Sequence, residues 1–320
     1  MTMGLRLLTA TIVILVVVTA GHVAAGQLSE QSRPAQAPPL FTVESALVVL
    51  HVTVKDKKGS YVTNLSQDAF GVVEDGQPQT IRVFTREDAP ATVGLLIDSS
   101  GSMQTARDLV IAAAGAFVET STPQDEIFAL AFSDDVRAAL PPAAPFTNDS
   151  ATLRAALTRT FVARGRTALY DAVDGGLDYL AKGSHERKAL VVVSDGGDNA
   201  SASPFEQVLT NTQTSNAVVY TVGLVDPLER DANPKRLRQL AEASGGESFF
   251  PHDATHVADV LRHIARDIRN TYTLGYVSTN TARDGRFRRV RVVVNGPDRR
   301  TVVVRTRSGY RAGRATDRSE

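Results

Sequence analysis

The stretch LLIDSSGSM, residues 95–103, ends an apolar run at an acid and then offers three hydroxyls within four residues. Two later stretches deliver oxygen in the same way. ARGRTALYDAV sets Thr167 just before a helical pattern, and VVVSDGGDN sets Asp195 after an apolar run and before two glycines. Asp98, Ser100, Ser102, Thr167 and Asp195 together offer two carboxylates and three neutral hydroxyls. Hard oxygen donors of this kind suit Mg²⁺ or Mn²⁺, with Ca²⁺ also within their range. Ser102 alone equally suits the N-cap of the helix that follows it. Gly101 and Gly196 are expected to let the backbone turn tightly around an ion. Arg164 and Arg166, beside Thr167, read either as a basic rim attracting acidic ligands or as solvated loop charge.

For five such residues to meet, their loops must gather at one edge of one sheet. Across 91–270 apolar runs and helical stripes alternate. The runs TVGLLI, EIFALAF, KALVVVS and AVVYTVGLV are nearly continuous, as in parallel strands covered on both faces. Between them, Leu169, Ala172, Val173, Leu177 and Leu180 fall on one helical face, and Val257, Val260, Leu261, Ile264 and Ile268 on another. The pattern predicts an α/β fold with a doubly wound, mostly parallel sheet, whose ligand crevice lies at the carboxyl ends of the strands. Asp98 and Asp195 stand at such ends. Residues 41–90 and 271–312 instead show short period-two runs, with Asp75-Gly76 as a hairpin signal. Neither set can cover an apolar face alone. The α/β domain is therefore expected to be inserted into a smaller β-sandwich formed by both chain ends.

Other chemistry finds little support. The sequence has no GxSxG, HExxH, GxxxxGK[ST] or GxGxxG motif, and no cysteine for a disulfide, a thiolate zinc site or a nucleophile. His252 and His256 read as surface or capping residues rather than metal ligands. Asp134, Asp135 and Asp198 read as turn residues. Asp171 and Asp174 read as acids on a solvated helix face. Residues 283–311 carry ten Arg against two Asp, which reads as a charged solvent face protecting sheet edges, with an anion-binding patch as the alternative.

Composition fits a folded protein, with 42% hydrophobic and 22% charged residues. Lys+Arg and Asp+Glu are each 35, so no net field steers the chain to nucleic acid or membrane. Arg6, the apolar stretch 7–20, and Val23 and Ala25 before a cleavage point predict a secretory signal peptide over 1–25. The apolar run falls short of the roughly 20 residues of a membrane span, so no stable span is expected after cleavage. Residues 26–40, rich in Gln, Ser and Pro, read as a flexible linker, and 313–320 as a disordered tail. The expected location is secreted or periplasmic, in a bacterial envelope.

With these residues in place, 91–270 resembles the von Willebrand factor A-type domain. DSSGS matches that family's DxSxS motif, and Thr167 and Asp195 match the Thr and Asp of its second and third metal loops. Together these positions resemble a metal-ion-dependent adhesion site. EDGQPQ and the later LGY and DGRFRRVRV look like a bacterial secreted subgroup of such proteins. The resemblance implies a non-enzymatic binding or adhesion module, and a protein partner that offers an acidic side chain to the metal. It also leaves a second reading, an accessory subunit that recruits or regulates an enzyme complex. No nucleic-acid partner is expected.

Overall fold

The first strand, β1 (Leu47–Lys55), alternates so that Val48, Leu50, Val52 and Val54 share one buried face. The structure, a computed structural model, describes residues 47–86, 88–225, 231–295 and 302–313. The signal peptide, the linker and all of the tail but Gly313 lie outside the described residues. After β1, β2 (Phe70–Glu74) and β3 (Gln77–Gln79) are joined at Asp75 and Gly76, with φ of 45° and 86°. Left-handed backbone at both centres is what a tight hairpin with correctly twisted strands needs. The sequence suggests one strand after this turn. The chain instead breaks at Thr80 and forms β4 (Ile81–Thr85), which belongs to a different sheet.

The central region alternates as β5 (Ala91–Asp98), α1 (Arg107–Thr120), β6 (Glu126–Phe132), β7 (Val136–Ala138), α2 (Ser150–Thr160), α3 (Leu169–Leu180), β8 (Arg187–Ser194), α4 (Phe205–Thr214), β9 (Val218–Gly223), α5 (Pro234–Ser244), β10 (Ser248–Phe249) and α6 (Val257–Arg269). Its sheet runs β10-β9-β8-β5-β6-β7, parallel except for β7. The short edge strands β7 and β10 were not expected from the sequence. β5 is buried along its whole length because helices cover both faces. Val93, Leu95 and Ile97 pack with α1, α2 and α6, while Leu96 packs with α3, α4 and α5. No helix among the described residues is long and apolar enough to cross a membrane.

Four strands follow: β11 (Thr271–Val277), β12 (Phe287–Val294), β13 (Val303–Arg305) and β14 (Gly309–Arg311). They pair with the first four in two sheets, β13-β1-β11-β4 and β14-β12-β2-β3. Both sheets thus mix strands from before and after the α/β domain. One core joins them, with Leu50, Val52, Phe70, Val72, Tyr272, Leu274, Tyr276 and Val292 buried together. The arginine-rich strands depart from a plain solvent face. Arg289 and Arg291 are exposed, but Arg288 points inward and pairs with buried Glu74 at 3.4 Å. Arg307 is also buried, donating to the Ser215 and Val49 carbonyls.

His51 lies where the sandwich meets the α/β domain, with Nε2 3.0 Å from the Asn216 carbonyl. Burial, then the charges of Arg187 and Arg307, push its pKa down to about 3. Below its ordinary value of about 6.5 the unfolded chain takes a proton that the folded chain refuses. Stability from this group is therefore full above pH 6.5 and declines as pH falls towards 3, by up to about 1.4 kcal/mol per unit. Urea unfolding of the parent and of His51→Gln across pH 4–7 should show a gap that shrinks with acidity. A gap independent of pH would remove His51 from this role. The difference between the chains is the useful reading, because buried carboxyls titrate in the same range.

Candidate metal centre

β5 and β8 are adjacent and parallel, so their carboxyl ends bring Asp98 and the Ser194–Asp195 pair side by side. Asp98 is fully buried at the last position of β5. One carboxylate oxygen accepts the Ser100 N–H at 2.9 Å, and the other accepts the Ser194 hydroxyl at 2.7 Å. The chain then turns through a short 3₁₀ segment, Gly101–Met103, and α1 begins only at Arg107. Ser102 is therefore not the N-cap of that helix. Its hydroxyl donates to Asp195 Oδ2 at 2.8 Å and lies 3.2 Å from the Ser100 hydroxyl. Four of the five oxygen-bearing residues are thus linked in one hydrogen-bonded string.

Thr167 enters from the loop before α3. Its backbone N–H donates to Asn199 Oδ1 at 2.9 Å, and its carbonyl accepts the N–H groups of Asn199 and Ala200. Its hydroxyl forms no hydrogen bond with the other four residues. Backbone bonds stitch the first loop to the second, from Gly101 N–H to the Gly165 carbonyl and from Arg164 N–H to the Ser99 carbonyl, and the Asn199 and Ala200 bonds to Thr167 tie in the third. Asp98, Ser100, Thr167 and Asp195 are buried, while Ser102 is exposed, so the cluster opens to solvent on the Ser102 side.

Two glycines hold this geometry. Gly196 has φ of +85°, and a Cβ there would stand 2.6 Å from the Asn233 carbonyl oxygen. Gly165, also left-handed, lies against the Asp134 carboxylate. Gly101 does not have the expected role: a Cβ there would meet only Gly165 O at an ordinary 3.8 Å. The basic rim is also thinner than the sequence suggests. Arg166 is held by Asp134 at 3.0 Å and by the Asn199 carbonyl, leaving Arg164 without an acidic partner among the described residues.

Burial pushes the Asp98 carboxyl up to about 6, with Asp195 adding to it and hydrogen bonds from Ser100 and Ser194 opposing it. No Lys or Arg among the described residues pairs with Asp98 or Asp195. Two buried carboxylates without a cation are costly. Oxygen donors with no competing cation fit a divalent metal ion, whose charge would compensate both acids.

Ser194 and Asn199 are supporting residues that sequence reading passed over. Each is a neighbour of Asp195 in SDGGDN, and only the fold shows which atoms they hold. Asp198 serves its turn by accepting from Tyr170 N–H and the Ser201 hydroxyl. Asp171 is not merely solvated: it accepts the N–H groups of Ala202 and Ser203 and anchors the loop after Asp195.

A family model described as von Willebrand factor type A domain matches residues 93–263. Among solved structures, the chain is similar to a von Willebrand factor type A protein from Catenulispora acidiphila, at 14% identity and a TM-score of 0.51, covering 85% of this chain and 74% of that one. It is also similar to proximal thread matrix protein 1 from the mussel byssus, at 13% identity and a TM-score of 0.50, covering 61% of this chain and 51% of that one. At such identities the likeness shows the fold alone. No curated protein sequence matches the chain.

Proposed function

Because the chain belongs to the von Willebrand factor type A domain family, we propose that it is a non-enzymatic protein-binding or adhesion module working through a divalent metal. Asp98, Ser100, Ser102, Thr167 and Asp195 would hold Mg²⁺ or Mn²⁺. The observation that carries this reading is the string Asp98, Ser100, Ser102 and Asp195, two buried acids and two hydroxyls with no cationic side chain among the described residues to balance them. When bound, the ion supplies an electrophilic point at the surface. The chain's own residues fix its place: Ser194 orients Asp98, Asn199 fixes the Thr167 backbone, and Gly196 lets the loop after Asp195 close. Two carboxylates at most neutralise a divalent ion, so an acidic side chain of a protein partner is the ligand that such a site still favours. The signal-like pattern over 1–25 supports a secreted or periplasmic setting for the module.

Calorimetry of Mg²⁺ binding is the direct test. The parent should bind one ion through this site, and Asp195→Ala should lose it. Retention of the full chain on an immobilised Glu-containing peptide should vanish with chelator and return with Mg²⁺ or Mn²⁺. It should also fail with the Gln version of that peptide. Chelator-resistant retention that collapses with salt would instead assign binding to exposed arginines, whose fields are screened within about 8 Å at physiological ionic strength. Equal Mg²⁺ binding by Asp195→Ala would overturn the site.

A further inference from the structure

The oxygen cluster has a neighbour on its β6 side. The carboxyl ends of β5 and β6 and the loop before α3 enclose a small polar cleft of about 120 Å³, whose lining includes Ser99, Ser133, Asp134, Asp135, Arg137 and Arg164. Pockets for drug-sized ligands begin at roughly 300 Å³, so this cleft suits one small polar group. Ser99 stands between Asp98 and Ser100 in the chain, and its carbonyl accepts the Arg164 N–H at 3.0 Å. The Gly101 N–H bond to the Gly165 carbonyl, at 3.3 Å, ties the same two loops. The cleft thus begins one residue from the oxygen cluster, on backbone that the cluster also uses.

The acids of the cleft are already matched. Asp134 Oδ1 accepts from Arg166 Nε at 3.0 Å, and Asp135 Oδ2 accepts from Arg137 Nη2 at 3.1 Å. Arg164 is the cation left over: it is exposed, and its guanidinium has no hydrogen-bond or ion-pair partner among the described residues. The Ser133 hydroxyl is also without a partner among the described residues, whereas that of Ser99 donates to the Phe132 carbonyl at 2.9 Å. The free donors of the cleft are therefore a guanidinium and a hydroxyl, with one positive charge that no acid balances. Such donors suit an anion. A planar guanidinium takes a carboxylate through two parallel N–H···O bonds, which gives both strength and a fixed orientation.

We propose that this cleft is a carboxylate subsite, in which Arg164 and Ser133 take a second acidic side chain of the protein partner. The surface recognised is then a pair of neighbouring acids, one for the metal and one for Arg164. The pairing rests on the metal-bridge reading given above, whereas the affinity of the cleft for a carboxylate does not. The metal selects for an acid as such, and Arg164 selects among acidic partners by the spacing of two.

The test has a metal-free arm and a metal-loaded arm, both on the full chain. With chelator present, acetate should shift the Arg164 side-chain N–H and the Ser133 amide in nitrogen–proton correlation spectra, and the shifts should saturate. Arg164→Gln should lose the Ser133 shift. With Mg²⁺ present, a Gly/Ser peptide bearing one Glu is compared with versions bearing a second Glu one, two or three residues away. At least one two-acid peptide should bind the parent about 3-fold or more tightly than the one-acid peptide, the scale of a single partly exposed ion pair. Arg164→Gln should bind the two alike, with Mg²⁺ binding by calorimetry not weakened. Absence of the acetate shifts, no gain from a second acid in the parent, or a gain that survives in Arg164→Gln would each overturn the proposal. One-acid binding that persists in chelator would instead overturn the metal bridge, and the acetate arm would still decide the cleft.

Discussion

Asp267→Ala should destabilise the protein by about 3–5 kcal/mol, the usual range for removing one partner from a buried ion pair. Asp267 lies on α6, fully buried, and is the hub between the α/β domain and the sandwich. Arg305 on β13 donates to its Oδ2, and Lys55 on β1 lies 3.2 Å from its Oδ1. The hydroxyls of Tyr61 and Tyr220 donate to the same carboxylate at 3.0 and 2.8 Å. Burial alone would raise the pKa of this group, but Arg305 and Lys55 hold it below the ordinary carboxylate range. Its contribution is thus present at neutral pH and fades only as acid protonates the folded form. Removing the carboxylate leaves two cations and two hydroxyls facing an apolar gap. Urea denaturation should show a lower midpoint at unchanged slope. Asp259→Ala, on the exposed side of the same helix and paired only with Arg262, should cost less than about 1 kcal/mol. A similar small loss for Asp267→Ala would mean that the hub does not hold the two parts together.

Arg187→Met should be comparably severe. Arg187 begins β8, yet its guanidinium is buried and donates to backbone carbonyls. Nη1 donates to the carbonyls of Ala89 and Ile268, both at 3.1 Å, and Nη2 to those of Arg86 at 3.2 Å and Thr271 at 2.7 Å. These four carbonyls belong to the two crossings, one entering the α/β domain from β4 and one leaving α6 for β11. Ile268 lies in the last turn of α6, where unpaired carbonyls and the helix dipole both favour a cation. Methionine keeps much of the apolar stem but strands the carbonyls, at about 1–3 kcal/mol for each group left unsatisfied. A total loss above about 3 kcal/mol is expected, with amide hydrogen exchange accelerating first around 86–91 and 268–272. A loss under about 1 kcal/mol, with exchange unchanged there, would show that water replaces the guanidinium without consequence.

Neither hub was legible in the sequence, and the reason is the same for both. Asp267 sits in a stretch, RHIARDIRN, whose charges look solvated. Its partners Lys55 and Tyr61 lie more than two hundred residues away, and no local pattern signals them. Arg187 lies just before the apolar run KALVVVS, and nothing in the sequence marks it. Legible features were those set by local physics. The stop at Asp98 stood out because an apolar run buried on both sides seldom ends in an acid. The Asp75-Gly76 turn stood out because few residue pairs tolerate its backbone. Sheet switching was not legible: the period-two runs at 77–84 and 303–310 show no break, but each splits between the two sheets. The period-two signal is the same whichever sheet a strand joins. Asp98 and Asp195 could be singled out from their strand ends, but the contacts of Ser194 and Asn199 could not, because a serine or asparagine in a glycine-rich turn carries no sign of which partner it will meet.

The shared sandwich sets an order of assembly. Thr53 and Thr271 face each other across β1 and β11 although 218 residues separate them. Closing so long a loop from an open chain is slow, because its entropy must be lost before any contact offsets it. The α/β domain needs only its own strands and helices, and once formed it holds its two ends together at the Arg187 carbonyls. It then acts as a splint that shortens the effective loop to a few residues. During synthesis β2 and β3 can pair as a hairpin, but β1 and β4 have no partner strand until β11 emerges, so their apolar faces wait exposed while the insert folds. The kinetic liability of the protein therefore lies in its first strands, and chaperones would act there.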